Sequence, residues 1–153
     1  MSLKHAIEFS KELNSFKSLK DAQKYFERYN EHYLSKIIEL SKKYNKDLNN
    51  TPESLKIIES WYFDLYEQDF KDFPINIIEF EKCMAIYFLN VAVKNNRDVV
   101  YKVSEYTFVK GKYEFGVEYN SLTYNSIRCR EYFKTPNNKK RQSLFKEYKK
   151  YFM

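Results

Sequence analysis

The chain has 153 residues, of which 43% are hydrophobic and 31% are charged, with a net charge of +6. This composition supplies enough apolar sequence for a core and excludes a disordered chain, and the length suits a single domain over residues 1–153. Two glycines and two cysteines exclude a glycine-rich phosphate loop and a disulfide-stapled secreted fold.

Apolar side chains at steps of three and four predict helices over residues 3–16, 18–45, 52–70 and 77–94. Ser18 and Asn76 stand where N-terminal capping residues belong, each with an acidic residue three positions later. Residues 77–94 are apolar almost all round, which is typical of a central helix.

The third predicted helix, over residues 52–70, begins with favourable residues and carries most of the acidic ones. Thr51 is predicted to cap it, with Pro52 at its first position. Trp61, the only tryptophan, lies on the apolar stripe and is predicted to be buried. The acidic residues from Glu59 to Asp69 are predicted to lie mostly off that stripe.

After residue 95 the apolar period changes from about four to two. Tyr113, Phe115 and Val117 alternate with polar residues, and with residues 99–103 they predict a β-hairpin over about 98–120. Tyr106 and Phe108 lie at even-numbered positions, whereas the apolar residues of segment 99–103 that alternate with polar ones lie at odd-numbered positions. This shift predicts a bulge near residues 104–105 or a split strand. Segments 122–124 and 126–133 are the candidates for one more strand.

Residues 138–151 are predicted to form a last helix, since large apolar residues recur there at steps of three and four. The order is helices first, then a small antiparallel sheet, then a C-terminal helix. The sequence therefore predicts an α+β domain with N-terminal helices, a hairpin at about 98–120 and a C-terminal helix.

No set of residues predicts catalysis, a metal or a cofactor. The chain has two histidines and no Cys-x-x-Cys or His-x-x-x-His spacing. Cys83 lies in the most apolar segment, where a thiol is usually inert packing. A divalent cation held by acidic residues of segment 59–81 is an alternative to a solvated helix face.

The protein is expected to lie in the bacterial cytoplasm, with reduced cysteines. Abundant Lys, Asn, Ile, Tyr and Phe are typical of an A+T-rich genome. The first residues lack the apolar run of a signal peptide, and the longest apolar stretch, residues 83–93, is shorter than a membrane span, which needs about twenty residues.

Charge is distributed unevenly along the chain. Residues 51–81 carry two basic and eight acidic side chains, while residues 134–153 carry seven basic and one acidic. This asymmetry predicts either external partners or pairing between the two segments. The candidate partner-binding residues are Glu67, Asp69, Asp72, Lys139, Lys140 and Arg141.

The basic tract 139–150 has two interpretations. Its cations and aromatic residues suit nucleic-acid phosphates and bases. Its apolar residues also have the spacing of a helix that docks on its own core. We expect docking, with the lysines as the solvated face.

A further indication comes from three segments in succession. Residues 87–95 read Tyr-Phe-Leu-Asn-Val-Ala-Val-Lys-Asn, residues 99–101 read Val-Val-Tyr, and residues 108–117 read Phe-Val-Lys-Gly-Lys-Tyr-Glu-Phe-Gly-Val. This succession, within about residues 52–119, resembles small bacterial proteins of the immunity type, which are encoded beside toxins. The resemblance implies a non-enzymatic binding protein that occludes a toxin partner. The alternative is a nucleic-acid-associated protein that uses tract 139–150.

Overall fold

The computed structural model describes residues 2–120, 122–125 and 142–153. In chain order the elements are α1 (Leu3–Ser10), β1 (Asn14–Ser15), α2 (Leu19–Lys43), α3 (Ser54–Glu67), α4 (Ile77–Asn95), β2 (Val100–Glu105), β3 (Lys112–Tyr119), β4 (Leu122–Asn125) and α5 (Ser143–Phe152). Apart from the two-residue strand β1, helices precede a small antiparallel sheet, and a helix follows it. The predicted α+β fold is confirmed.

Strand β3 is the centre of the sheet and pairs antiparallel with β1, β2 and β4. The β2–β3 register runs without interruption from Val100 opposite Glu118 to Glu105 opposite Tyr113. The prediction of a bulge or a split strand at residues 104–105 is therefore wrong. Tyr106 departs from the alternation of β2 because it lies just beyond the end of that strand. Its hydroxyl donates to the carbonyl oxygen of Ala6 in α1 at 3.3 Å.

The first helix is shorter than predicted. It ends at Ser10, and Asn14 and Ser15 pair instead with Tyr113 and Lys112 of β3. The Lys112 ammonium also donates to the carbonyl oxygen of Leu13 at 3.1 Å. These bonds satisfy backbone groups through a strand that is distant in sequence, which a helical pattern of side chains does not reveal.

The predicted helix starts are confirmed where a side chain caps them. Ser18 Oγ accepts from the backbone N–H of Asp21 at 3.2 Å, and Asn76 Oδ1 accepts from that of Glu79 at 2.9 Å. Helix α3 begins later than predicted, at Ser54. Thr51 Oγ1 still accepts from the Ser54 N–H, at 3.3 Å, so Thr51 closes a turn that precedes the helix.

Helix α4 lies at the centre of the core, as predicted. Twelve of its 19 residues are buried, and α2, α3, α5 and the sheet all contact it. Trp61 is 3% exposed, and its ring centroid lies 5.1 Å from that of Phe80, which confirms its predicted burial. Cys83 is buried, and burial raises the pKa of its thiol to about 12, so this thiol is inert packing.

None of the helices in the described part of the chain combines the length and the apolar character that a bilayer span requires.

Candidate functional site

Helix α3 ends in a turn that presents an acidic side chain. The Phe70 N–H donates to the Leu65 carbonyl oxygen at 2.8 Å, and the Asp69 N–H donates to the Tyr66 carbonyl oxygen at 3.0 Å. These two bonds form a Schellman motif, in which the second residue beyond the helix adopts the left-handed conformation. Asp69 holds that position, with φ 53°.

The same turn contains two further left-handed residues, Phe70 with φ 54° and Asp72 with φ 59°. Glycine adopts this conformation most easily, and a bulky residue rarely does. The Phe70 ring packs against the rings of Phe80 and Phe73, with centroids 5.7 and 6.0 Å away. Aromatic packing against the core therefore holds the turn in a conformation that glycine would otherwise provide.

An open pocket of about 580 Å³ lies between this turn and the start of α4. Its polar and aromatic lining comprises Tyr66, Asp69, Phe70, Phe73, Asn76 and Glu79. We call this the acidic–aromatic pocket. Its walls include two carboxylates and three aromatic rings, and Tyr66 is 43% exposed.

The surroundings of the acidic–aromatic pocket add negative charge. Glu67 and Asp72 are exposed in the same segment, and Lys71 is the only basic residue between positions 57 and 81. Carboxylates attract a cation by charge, and aromatic faces attract it through their quadrupole. The arrangement suits an ammonium or guanidinium group.

The three acidic residues singled out by sequence do not all lie at the pocket. Glu67, Asp69 and Asp72 are each exposed, but of the three only Asp69 lines it. Sequence reasoning missed Tyr66 and Glu79. The sequence signal for both residues was weak. Glu79 was already explained by its position in the first turn of α4.

Glu59 corrects the prediction for the acidic face of α3. Its side chain is 2% exposed, and it accepts hydrogen bonds from the Leu144 N–H at the start of α5, at 3.3 and 3.4 Å. Burial raises the pKa of this carboxyl to about 7, although the backbone N–H groups of Leu144 and Ser143 and the charge of Lys146 lower it. Glu59 lies inward because the first N–H groups of α5 need an acceptor.

Helix α5 docks on the core, as expected. Leu144, Tyr148 and Phe152 are buried, while Lys146, Lys149 and Lys150 are exposed. The Tyr148 hydroxyl also accepts from the Asn96 amide at 2.9 Å. Residues 139–141, which include the candidates Lys139, Lys140 and Arg141, lie outside the described residues.

A metal site has no support in the described part of the chain, which includes all of segment 59–81. No three His, Cys, Asp or Glu side chains there come together in a way that could hold an ion. The carboxylates of this segment separate: Glu59 faces α5, and Glu67 and Asp72 face solvent.

The chain is similar to known proteins over most of its length. A family model described as "Uncharacterised protein YwmA" matches residues 15–152, from β1 to the end of α5. A relative from Bacillus subtilis (strain 168), "Uncharacterized protein YwmA", is 24% identical over 123 residues, which are 80% of this chain and 78% of the relative. That relative is bacterial, as the composition predicted for this chain. No solved structure matches the chain.

Proposed function

We propose that this chain, which belongs to the YwmA family, is a non-enzymatic binding protein that holds a cationic side chain of a protein partner. The binding site in this proposal is the acidic–aromatic pocket. A lysine ammonium or an arginine guanidinium enters it, contacts Asp69 and Glu79, and lies against the Tyr66 ring.

One observation carries the proposal most directly: an aspartate occupies the left-handed position of the Schellman motif at the pocket. Glycine is the residue that this position usually holds, because it has no side chain to clash with the backbone. Asp69 instead places a carboxylate in the lining of the pocket. Residues that cost stability in this way are commonly retained for function.

The pocket's composition supports a protein partner over a simple ion. Metal ions select several oxygen ligands at short range, whereas this pocket is open and three of its lining residues are aromatic. A cationic side chain uses both kinds of wall. The immunity-type resemblance is compatible with this mode, in which a basic residue of the toxin is the bound group.

The basic C-terminal tract is the weaker candidate. Its described apolar residues are engaged in the core, and two of its lysines lie near aromatic rings of their own helix. The Lys149 ammonium is 5.7 Å from the Phe145 ring centroid, and that of Lys150 is 5.2 Å from the Tyr151 centroid. Binding of nucleic acid by this tract stays a prediction.

Calorimetric titration with a peptide of alternating lysine and glycine tests the proposal. Asp69→Asn keeps a residue that tolerates the left-handed conformation but removes the charge. We expect about fivefold weaker binding, because a solvent-exposed ion pair contributes up to about 1 kcal/mol. Asp98→Asn, which neutralises an exposed carboxylate beyond the other end of α4, is the matched control.

The same peptide with acetylated lysines is the second control, and it is expected not to bind. If Asp98→Asn weakened binding as much as Asp69→Asn, the peptide would be responding to net charge and the pocket would not be the site. Equal affinity for the acetylated peptide would also overturn the proposal.

A further inference from the structure

A second pocket lies away from the acidic–aromatic pocket, and a buried polar network leads to it. Asn90 of the central helix α4 is 5% exposed. Its amide donates to Asn50 Oδ1 at 2.7 Å, and its own Oδ1 accepts from the Tyr101 hydroxyl at 3.3 Å. The single proton of the Tyr101 hydroxyl is therefore directed inward, to Asn90.

Asn30 of α2 meets the same hydroxyl from the other side. Burial raises the pKa of Tyr101, and a hydrogen bond from the Asn30 side chain lowers it. Because the Tyr101 hydroxyl gives its proton to Asn90, a hydrogen bond between Asn30 and this hydroxyl has the NH₂ group of Asn30 as its donor. Asn30 Oδ1 is buried, and it has no hydrogen-bond donor within the described residues.

The second pocket has a volume of about 210 Å³ and lies between α2 and the sheet. Glu27 and Asn30, three positions apart and so on one face of α2, line it opposite Tyr101 and Phe115. Lys102, also in the lining, forms an ion pair with Glu118. Glu27 is exposed, and no ion pair reaches it in the described part of the chain, so its carboxylate is open to a ligand in this pocket.

Three aromatic rings form a nearly parallel stack beside the second pocket. The Phe26 and Phe115 centroids are 5.3 Å apart with planes 8° from parallel, and the Phe115 and Tyr101 centroids are 5.8 Å apart with planes 13° from parallel. Tyr101 is the outermost ring and is 37% exposed. A planar molecule in this pocket finds an exposed ring to stack on and polar groups to contact its edge.

We propose that the second pocket binds a planar nitrogen heterocycle that carries an amino group beside a ring N–H, the arrangement present in guanine. The Glu27 carboxylate accepts both N–H groups, as a carboxylate does from any pair of parallel donors. The ring lies against Tyr101. Asn30 Oδ1 is buried, so it takes a further donor from the ligand only when its amide turns toward the pocket, and that donor then supplies the hydrogen bond that it lacks.

Titration of the ¹⁵N-labelled protein with guanosine, followed by amide shifts, tests this inference. Inosine has the ring N–H but lacks the amino group, and adenosine lacks both donors in this arrangement. A site built to bond an amino group rejects an analogue without it. We expect saturable shifts in α2 and β2 with guanosine, and at least about tenfold weaker binding of inosine and adenosine.

Two variants separate this site from non-specific stacking. Glu27→Gln replaces one acceptor oxygen with an NH₂ group, and it is expected to weaken the binding of guanosine at least about tenfold. Glu31→Gln, an exposed residue one turn along the same helix, is expected to have no effect. Equal affinities for the three nucleosides, full binding by Glu27→Gln, or no saturable shift with guanosine would each overturn the inference.

Discussion

The backbone N–H of Leu144 donates to both carboxylate oxygens of Glu59, although 85 residues separate the two in sequence. This contact joins the start of α5 to the middle of α3. It also joins the most acidic segment of the chain to the most basic one. The two segments therefore meet through a hydrogen bond between one buried carboxyl and a backbone N–H group, while Glu67, Asp69 and Asp72 stay exposed.

Glu59 is expected to make the stability of the protein depend on pH. Its pKa is about 7 in the folded protein and 4.5 ordinarily, so the folded state binds more protons than the unfolded state between these values. The free energy of unfolding therefore falls as pH rises from about 4.5 to 7, by about 1.4 kcal/mol for each unit by which folding raises the pKa. Glu59→Gln is expected to reduce this slope.

Urea unfolding at pH 5, 6, 7 and 8 measures the slope. Glutamine retains a side-chain oxygen that can accept from Leu144, so the variant is expected to fold. Glu114, whose pKa burial also raises, leaves a residual slope of the same sign. Glu39→Gln, on an exposed position of α2, is the control. A slope in Glu59→Gln as steep as that of the wild type would contradict the assignment.

The docking of α5 is expected to depend on its apolar residues and not on its lysines. Leu144→Ala should lower the free energy of unfolding by about 2–5 kcal/mol, because Leu144 is fully buried. Lys149→Ala removes only exposed side-chain atoms and should change it by less than about 0.5 kcal/mol. Urea midpoints compare the two, and equal costs would show that α5 is held by something other than its apolar face.

Replacement of Asp69 by glycine is expected to stabilise the fold by up to about 1 kcal/mol, because glycine relieves the left-handed strain. The same change should weaken binding of the lysine peptide as much as Asp69→Asn does. Urea unfolding and calorimetric titration measure the two effects. If Asp69→Gly unfolded more easily than the wild type, the carboxylate would be stabilising the turn. The argument that Asp69 is retained for binding at a cost in stability would then fail.

Trp61 reports on the packing of α3 against α4. Its ring lies within 6.0 Å of the rings of Tyr44, Phe73 and Phe80. Its emission should therefore lie at shorter wavelength in the folded protein than in urea, and Trp61→Ala should cost about 3–5 kcal/mol. Emission from the folded protein at the wavelength of exposed tryptophan is incompatible with this core.

The features that sequence predicted are those fixed by neighbouring residues. Ser18 and Asn76 cap helices because their partners lie three positions away, and the alternation in β3 reflects one buried face. Those that sequence missed depend on distant partners. Strand β1 exists because Asn14 and Ser15 pair with a strand almost one hundred residues later.

The same distinction explains the candidate sites. The number of acidic residues in this part of the sequence was enough to predict an exposed surface at residues 67–72. The acidic–aromatic pocket itself required the left-handed conformation of Asp69, which an aspartate does not signal. The inward position of Glu59 depends on the N–H groups at the start of α5, and no pattern within α3 reveals them.

The most direct test of the central claim is to map the lysine–glycine peptide onto the ¹⁵N-labelled protein by amide chemical shifts. A pocket that holds a cationic side chain predicts saturable shifts concentrated in residues 66–79, with the acetylated peptide causing none. Shifts concentrated elsewhere, or shifts of equal size with the acetylated peptide, would contradict the proposed binding function.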